Sequence, residues 1–155
     1  VRLESRPPNI EGRGEVKIGD LMKNALRMRP DRIIVGEVRS GEALDMLQAM
    51  NTGHEGSMGT LHANTPDDAI QRLNTMITMS GVKLDNEALR QMISRSLHVI
   101  IQANRLADGQ RKITSITEVL DIADGQVEIN EVFTFQRHGM NEDHRMNRMN
   151  HRIIE

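Results

Sequence analysis

The stretch at 25–72, ALRMRPDRIIVGEVRSGEALDMLQAMNTGHEGSMGTLHANTPDDAIQR, holds one carboxylate and one imidazole placed for chemistry. Glu37 follows the apolar run Ile33, Ile34, Val35 and then Gly36, while His62 closes a second β-prone stretch at 57–62. In an open α/β sheet, ligands sit at the carboxyl ends of parallel strands, so two such ends bring both groups to one crevice. A glutamate there can orient an attacking water or support Mg²⁺ beside a nucleotide γ-phosphate. The pair reads as half of a nucleotide-hydrolysis site. The other half is not in these 155 residues: no Gly is followed by Lys, so the phosphate-cradling loop G-x-x-x-x-G-K-[ST] is absent. Each residue also has a plainer reading. Glu37 alone suits a solvent-facing strand-end acid paired with Arg39, and His62 alone suits a core or capping histidine. Their combination favours the site.

The elements that must position the pair follow from local signals. Residues 1–3 resemble the end of a strand, and 6–14 is a loop rich in Pro and Gly. Gly19 or Asp20 can cap a helix that runs to about Arg29 and is stopped by Pro30, with Leu21, Met22, Ala25 and Leu26 on one face. Residues 32–38 form an apolar strand whose unbroken Ile33, Ile34, Val35 run suits a sheet covered on both faces. Ser40 caps the next helix, which carries Ala43, Leu44, Leu47 and Met50 at helical spacing and stops at Gly53. Thr65, Pro66, Asp67 and Asp68 start another helix, with a capping hydroxyl, Pro at the first position and acid at the positive end of the dipole. Ile70, Leu73 and Ile77 face the core. Asp85 caps a further helix through Leu97 with Leu89, Met92 and Ile93 as its stripe, and 98–103 is a strand. Asp-Gly pairs at Asp108 and Asp124 predict antiparallel hairpins through Phe135. The expected architecture is α/β, a mixed sheet with parallel strands first and hairpins after them.

Composition bounds the rest. With 37% hydrophobic and 27% charged residues the chain suits one globular domain. A net charge of −2, with both signs interspersed, gives no footprint for nucleic acid or a lipid surface. The lack of Cys rules out disulfides and thiolate metal sites and, with no signal-peptide core, favours a cytoplasmic protein. Apolar runs are too short to insert directly into a bilayer. Phe133 and Phe135 are the two aromatic residues, and Met22, Met46, Met50, Met76 and Met92 fall on helical stripes as core filler rather than as a recognition surface. Residues 137–155 are polar and without apolar period, and read as a disordered tail. Its His138, His144 and His151 match no metal-ligand spacing.

The stretches LRMRPDRIIVGEVR and GHEGSMGTLHANTPDDAIQRL resemble the Walker B and His-box motifs of secretion ATPases in the type II/type IV superfamily. RLESRPPNIEGRGEV and LQAMNTGHEGSMGTLHANTP are more narrowly similar to the CpaF-type subfamily, which drives tight-adherence pili. The resemblance covers about 1–135; 141–155 departs from it. It implies a RecA-like P-loop NTPase core, a homo-hexamer, and ATP bound with Mg²⁺ between domains. It also implies peripheral placement at the inner membrane through pilus or secretion platform proteins, with no nucleic acid involved.

Carried over residue by residue, Glu37 is the Walker B glutamate, acting on water and supporting Mg²⁺ indirectly, and Gly36 lets the backbone approach the nucleotide. His62 is the His-box histidine, sensing the γ-phosphate and linking it to subunit movement. Arg39 and Arg72 are nucleotide-binding candidates, with Arg72 closing the helix after the His box. Arg2 and Arg6 are inter-subunit arginine candidates. His54, following Gly53, is a weaker candidate that suits the negative end of the preceding helix. The resemblance makes 1–136 the C-terminal part of the ATPase domain, with the Walker A loop upstream and this segment inactive alone. The function implied is a motor coupling ATP hydrolysis to pilin or substrate export. The alternative is a non-catalytic RecA-like segment that joins a ring without turnover. A DNA-translocating ATPase is disfavoured by the charge and by the scarcity of stacking aromatics.

Overall fold

The computed structural model describes residues 1–135 and the short strand at 152–153. Helix α1 (Ile18–Arg27) begins without a side-chain cap. Lys17 takes the N-cap position, and the expected caps Gly19 and Asp20 fall inside the first turn, where Asp20 still complements the dipole. The helix stops at Met28 because Pro30 disfavours the helical conformation at Arg29, which adopts φ 50° instead.

Strands β1 (Ile34–Val35) and β2 (Met58–Gly59) are parallel, with Ile34 opposite Met58 and Val35 opposite Gly59. They are shorter than the expected 32–38 and 57–62. Main-chain bonds nevertheless extend the pairing, from Met58 N–H to Ile33 O (2.9 Å) and from Val38 N–H to Thr60 O (2.7 Å). Side chains alternate across a strand, so Ile33 and Val35 enter the core while Ile34 is 72% exposed. The expectation of cover on both faces is therefore corrected: an unbroken apolar run fixes what one face buries, not what meets the other.

Helix α2 (Glu42–Asn51) joins the two strands and buries Ala43, Met46, Leu47 and Ala49. Its expected cap, Ser40, is displaced. Gly41 is the N-cap, and the Glu42 carboxylate reaches back to accept from the N–H groups of Arg39 (2.7 Å) and Ser40 (3.1 Å). Helix α3 (Pro66–Met79) starts as its sequence dictates, with the Thr65 hydroxyl accepting from Asp68 N–H and Pro66 in the first turn. It buries Ile70, Leu73, Met76 and Ile77. Helix α4 (Asn86–Ser96) is capped by Asp85 and buries Leu89 and Ile93. The buried Ser96 hydroxyl shares its proton between Leu47 O (3.0 Å) and Met92 O (2.7 Å), tying α4 to α2. Met22, Met46 and Met76 are buried in this core, with Met50 and Met92 packed against it.

The remaining strands form a separate antiparallel sheet in the order β3 (Val99–Arg105), β4 (Arg111–Ala123), β5 (Gln126–Thr134), β6 (Arg152–Ile153). Both Asp-Gly hairpins are present. At the second turn Asp124 and Gly125 both have positive φ, 49° and 72°, the type I′ geometry that matches strand twist. Parallel pairing and hairpins thus coexist in two sheets. Residues 1–3 are not a strand; among the described residues, the pairing near them is a bridge between Arg6 and Val16 that closes the intervening loop. Arg152–Ile153 pairs with Phe133 and Thr134. The rest of 137–155, with His138, His144 and His151, lies outside the described residues. No helix among the described residues is long and apolar enough to cross a membrane.

Candidate active site

Where the chain leaves β1, Val38 turns into the core and Glu37 turns out; where it leaves β2, Leu61 packs against the core and His62 turns out. The parallel register makes these two outward side chains neighbours. His62 Nε2 donates to Glu37 Oε1 at 3.0 Å, and the Arg39 guanidinium donates to Glu37 Oε2. One carboxylate thus holds a cation and an imidazole on its two oxygens. The His62 side chain is 85% exposed, which excludes the core-histidine reading, whereas that of Glu37 is only 26% exposed. The hydrogen bond from Arg39 holds the Glu37 carboxyl below the usual value of 4.5 against an opposing effect of partial burial, with His62 adding a smaller push in the same direction. Reciprocally, Glu37 raises the Arg39 guanidinium further.

Three side chains from the β2 side fasten the geometry to the β1 side. His54 Nδ1 lies 2.8 Å from Pro30 O, the Ser57 hydroxyl accepts from Ile33 N–H at 2.9 Å, and the Thr60 hydroxyl donates to Gly36 O at 2.5 Å. His54 therefore ties two loops together, a use different from the expected neutralisation of a helix end. Beside Gly36 the space is open, and a Cβ there would meet no atom within 4 Å. Gly36, Glu37 and Arg39 line a groove of ≈ 1310 Å³ that is also lined by Ile34, Met28 and Arg2.

The other arginine candidates are not gathered here. Arg2 lines the groove but pairs with Glu4 at 2.7 Å. Arg6 donates to Gly14 O at 2.9 Å within its own loop. Arg72 does not close α3; it lies exposed in mid-helix and makes no hydrogen bond or ion pair with the Glu37 cluster, because the helix continues to Met79. No three His, Asp or Glu side chains converge as a metal cluster among the described residues. Thr60 and Ser57, which sequence reading passed over, carry the bonds that fix the register. Their signal was faint: hydroxyl residues one step either side of a glycine-containing strand.

Residues 4–155 match the profile of a family described as Type II/IV secretion system protein. The chain belongs to this family. The match runs further toward the C-terminal end than the expected 1–135. A conjugal transfer protein of Mycobacterium tuberculosis strain H37Rv is 43% identical over 143 residues, which is 92% of this chain and 40% of that protein. Type IV secretion system protein VirB11 of Bartonella henselae is 36% identical over 110 residues, 68% of this chain and 31% of that protein. The crystal structure of the VirB11 ATPase from the Brucella suis type IV secretion system, in complex with sulphate, superposes with a TM-score of 0.60 at 30% identity, covering 65% of this chain and 31% of that one. The chain thus spans 31% to 40% of the length of these relatives. Its fold is the α/β, RecA-like fold of that ATPase.

Proposed function

We propose that the chain supplies the glutamate and histidine side of the ATP-hydrolysis site of a secretion or pilus-assembly motor. The carrying observation is that Glu37 leaves a parallel strand pair as an anion, with one oxygen on His62, and lines a groove. In this reading Glu37 accepts a hydrogen bond from the attacking water and orients it in line with the γ-phosphate. Arg39 keeps Glu37 ionised and ready to accept. His62, exposed and tied to the same carboxylate, changes partner when a phosphate is present and so reports nucleotide state to neighbouring segments. The open space at Gly36 lets a ligand approach the main chain.

The donor set fits Mg²⁺-ATP in part. Glu37 can hold a metal-bound water, whereas neutralisation of the triphosphate requires the lysine and N–H cradle of a G-x-x-x-x-G-K-[ST] loop, a motif that these 155 residues do not contain. Mg²⁺, when bound, supplies charge neutralisation at the β- and γ-phosphates. The finer reading is a CpaF-type motor acting as a homo-hexamer, cytoplasmic and held at the inner membrane through platform proteins. It is supported by the RLESRPPNIEGRGEV and LQAMNTGHEGSMGTLHANTP stretches.

The test is Glu37→Gln in the complete protein. The substitution keeps shape and removes charge, so turnover falls by about 10²–10⁴-fold, the usual share of a general base, while ATP affinity is retained. Near-normal hydrolysis by that variant overturns the assignment.

A further inference from the structure

The residue after His62 is held from the other sheet. Gln102 Nε2 donates to Ala63 O at 3.0 Å and to Asn104 Oδ1 at 3.2 Å, so both of its amide hydrogens are engaged. Asn104 in turn donates through Nδ2 to the Thr114 hydroxyl at 3.0 Å, and that hydroxyl lies 3.4 Å from Gln102 O. Three side chains on adjacent strands therefore form a closed ring with a single outward arm, the bond to Ala63.

The ring exists because the ladder is irregular there. Gln102 faces Ser115 and Ala103 faces Ile113, so Thr114 is an extra residue on β4 opposite the join. Such a bulge re-aims neighbouring side chains and increases the local twist, and bulges of this kind gather next to functional sites. In a regular ladder Thr114 would oppose Ala103, and its hydroxyl would point to the face opposite Gln102 and Asn104. On its other side the His62 segment is fixed by the Thr60 hydroxyl on Gly36 O and by Val38 N–H on Thr60 O. Between these two anchors, residues 61–63 belong to neither helix nor strand, and the Gln102 bond is the side-chain tie that fixes their far end.

We propose that Gln102, oriented by Asn104 and Thr114 across the bulge, is a positioning residue for His62, so that the antiparallel sheet sets how the imidazole meets Glu37. This rests on the assignment of Glu37 and His62 above. Losing one anchor lets the imidazole wander by a fraction of an ångström to an ångström, a displacement that can cost about 100-fold in rate.

The experiment uses the complete protein with Gln102→Glu, which puts an acceptor against Ala63 O in nearly the same volume, and Gln102→Leu, which removes both donors without adding charge. Both variants should lose about ten- to a hundredfold in kcat at unchanged KM for ATP and unchanged Tm. Amide hydrogen exchange should rise at 61–64 and not elsewhere. In a His62→Ala background, single-turnover hydrolysis should be insensitive to Gln102→Leu, since the residue being positioned is gone. A wild-type kcat in both variants, an equal loss in the His62→Ala background, or a loss that tracks a fall in Tm would each overturn the positioning role. Glu37→Gln separates the two levels of argument. If it keeps turnover, the site assignment fails and this proposal with it; if it is inactive while both Gln102 variants are normal, the positioning role alone fails.

Discussion

Arg39 and His62 occupy different oxygens of Glu37, so each can be removed while the other stays. Without Arg39 the chief cause of the lowered Glu37 pKa is lost, and an Arg39→Ala variant should return the carboxyl toward 4.5, read by NMR titration of its side-chain carbon. The direction fixes the pH response. A carboxyl depressed in the folded state stabilises the fold above its unfolded pKa and loses that contribution as pH falls through the folded value. Glu37 therefore remains an anion throughout the neutral range, and any acid limb of activity above pH ~5 must belong to another group. His62→Ala removes a largely exposed ring and should change folding stability by no more than an ordinary surface substitution, about 0.5 kcal/mol. Secretion or pilus output should fall at least as far as the ATPase rate. A variant with lost ATPase activity but normal output would sink the proposed role in communication.

At the level of elements, the two helix starts flanking the site make a contrast. Thr65 accepts from Asp68 N–H at the start of α3, so Thr65→Ala should cost about 1 kcal/mol. Ser40 caps nothing with its side chain, and Ser40→Ala should cost far less than Glu42→Ala, whose carboxylate accepts two main-chain N–H groups ahead of α2. Chemical unfolding monitored in the three variants checks the order. The contrast also shows what was legible. Thr65-Pro66-Asp67-Asp68 encodes its helix start within four neighbours, as Asp85 does for α4 and Asp124-Gly125 for the hairpin, so these were readable. Ser40 was misread because a longer carboxylate two residues on competes for the same N–H groups. Ile34 was misread because cover on its face depends on residues remote in sequence, and Arg72 because the helix end is set by the Ser80 and Gly81 turn rather than by the motif. The meeting of Glu37 and His62 at 3.0 Å was foreshadowed by their type and by their position at two strand ends. Gln102 was not, because its role depends on a bulge that no local pattern announces.

For the molecule as a whole, the 155 residues alone carry Glu37 and His62 without a G-x-x-x-x-G-K-[ST] loop for phosphate. Charge preorganised at the phosphates supplies most of the catalysis in this reaction class. The segment by itself should show no phosphate release above a Glu37→Gln control and no micromolar Mg-ATP binding by calorimetry; either result would mean that the phosphates bind elsewhere. Exposed Ile34 on a short parallel pair should also make the isolated segment prone to associate, read as a concentration-dependent increase in light scattering. The bridges from His54 to Pro30, Ser57 to Ile33 and Thr60 to Gly36 all join positions separated by the same 24 residues. Because a one-residue slip would turn every side chain of a strand to the opposite face, 30–37 and 54–62 cannot change length independently. The connection between them is under no such constraint near Ser40 or Thr52. Over evolutionary time, insertions and deletions in this family should collect at those two turns and leave the bridged windows without gaps, so that the spacing within each window is inherited even where its residues are exchanged.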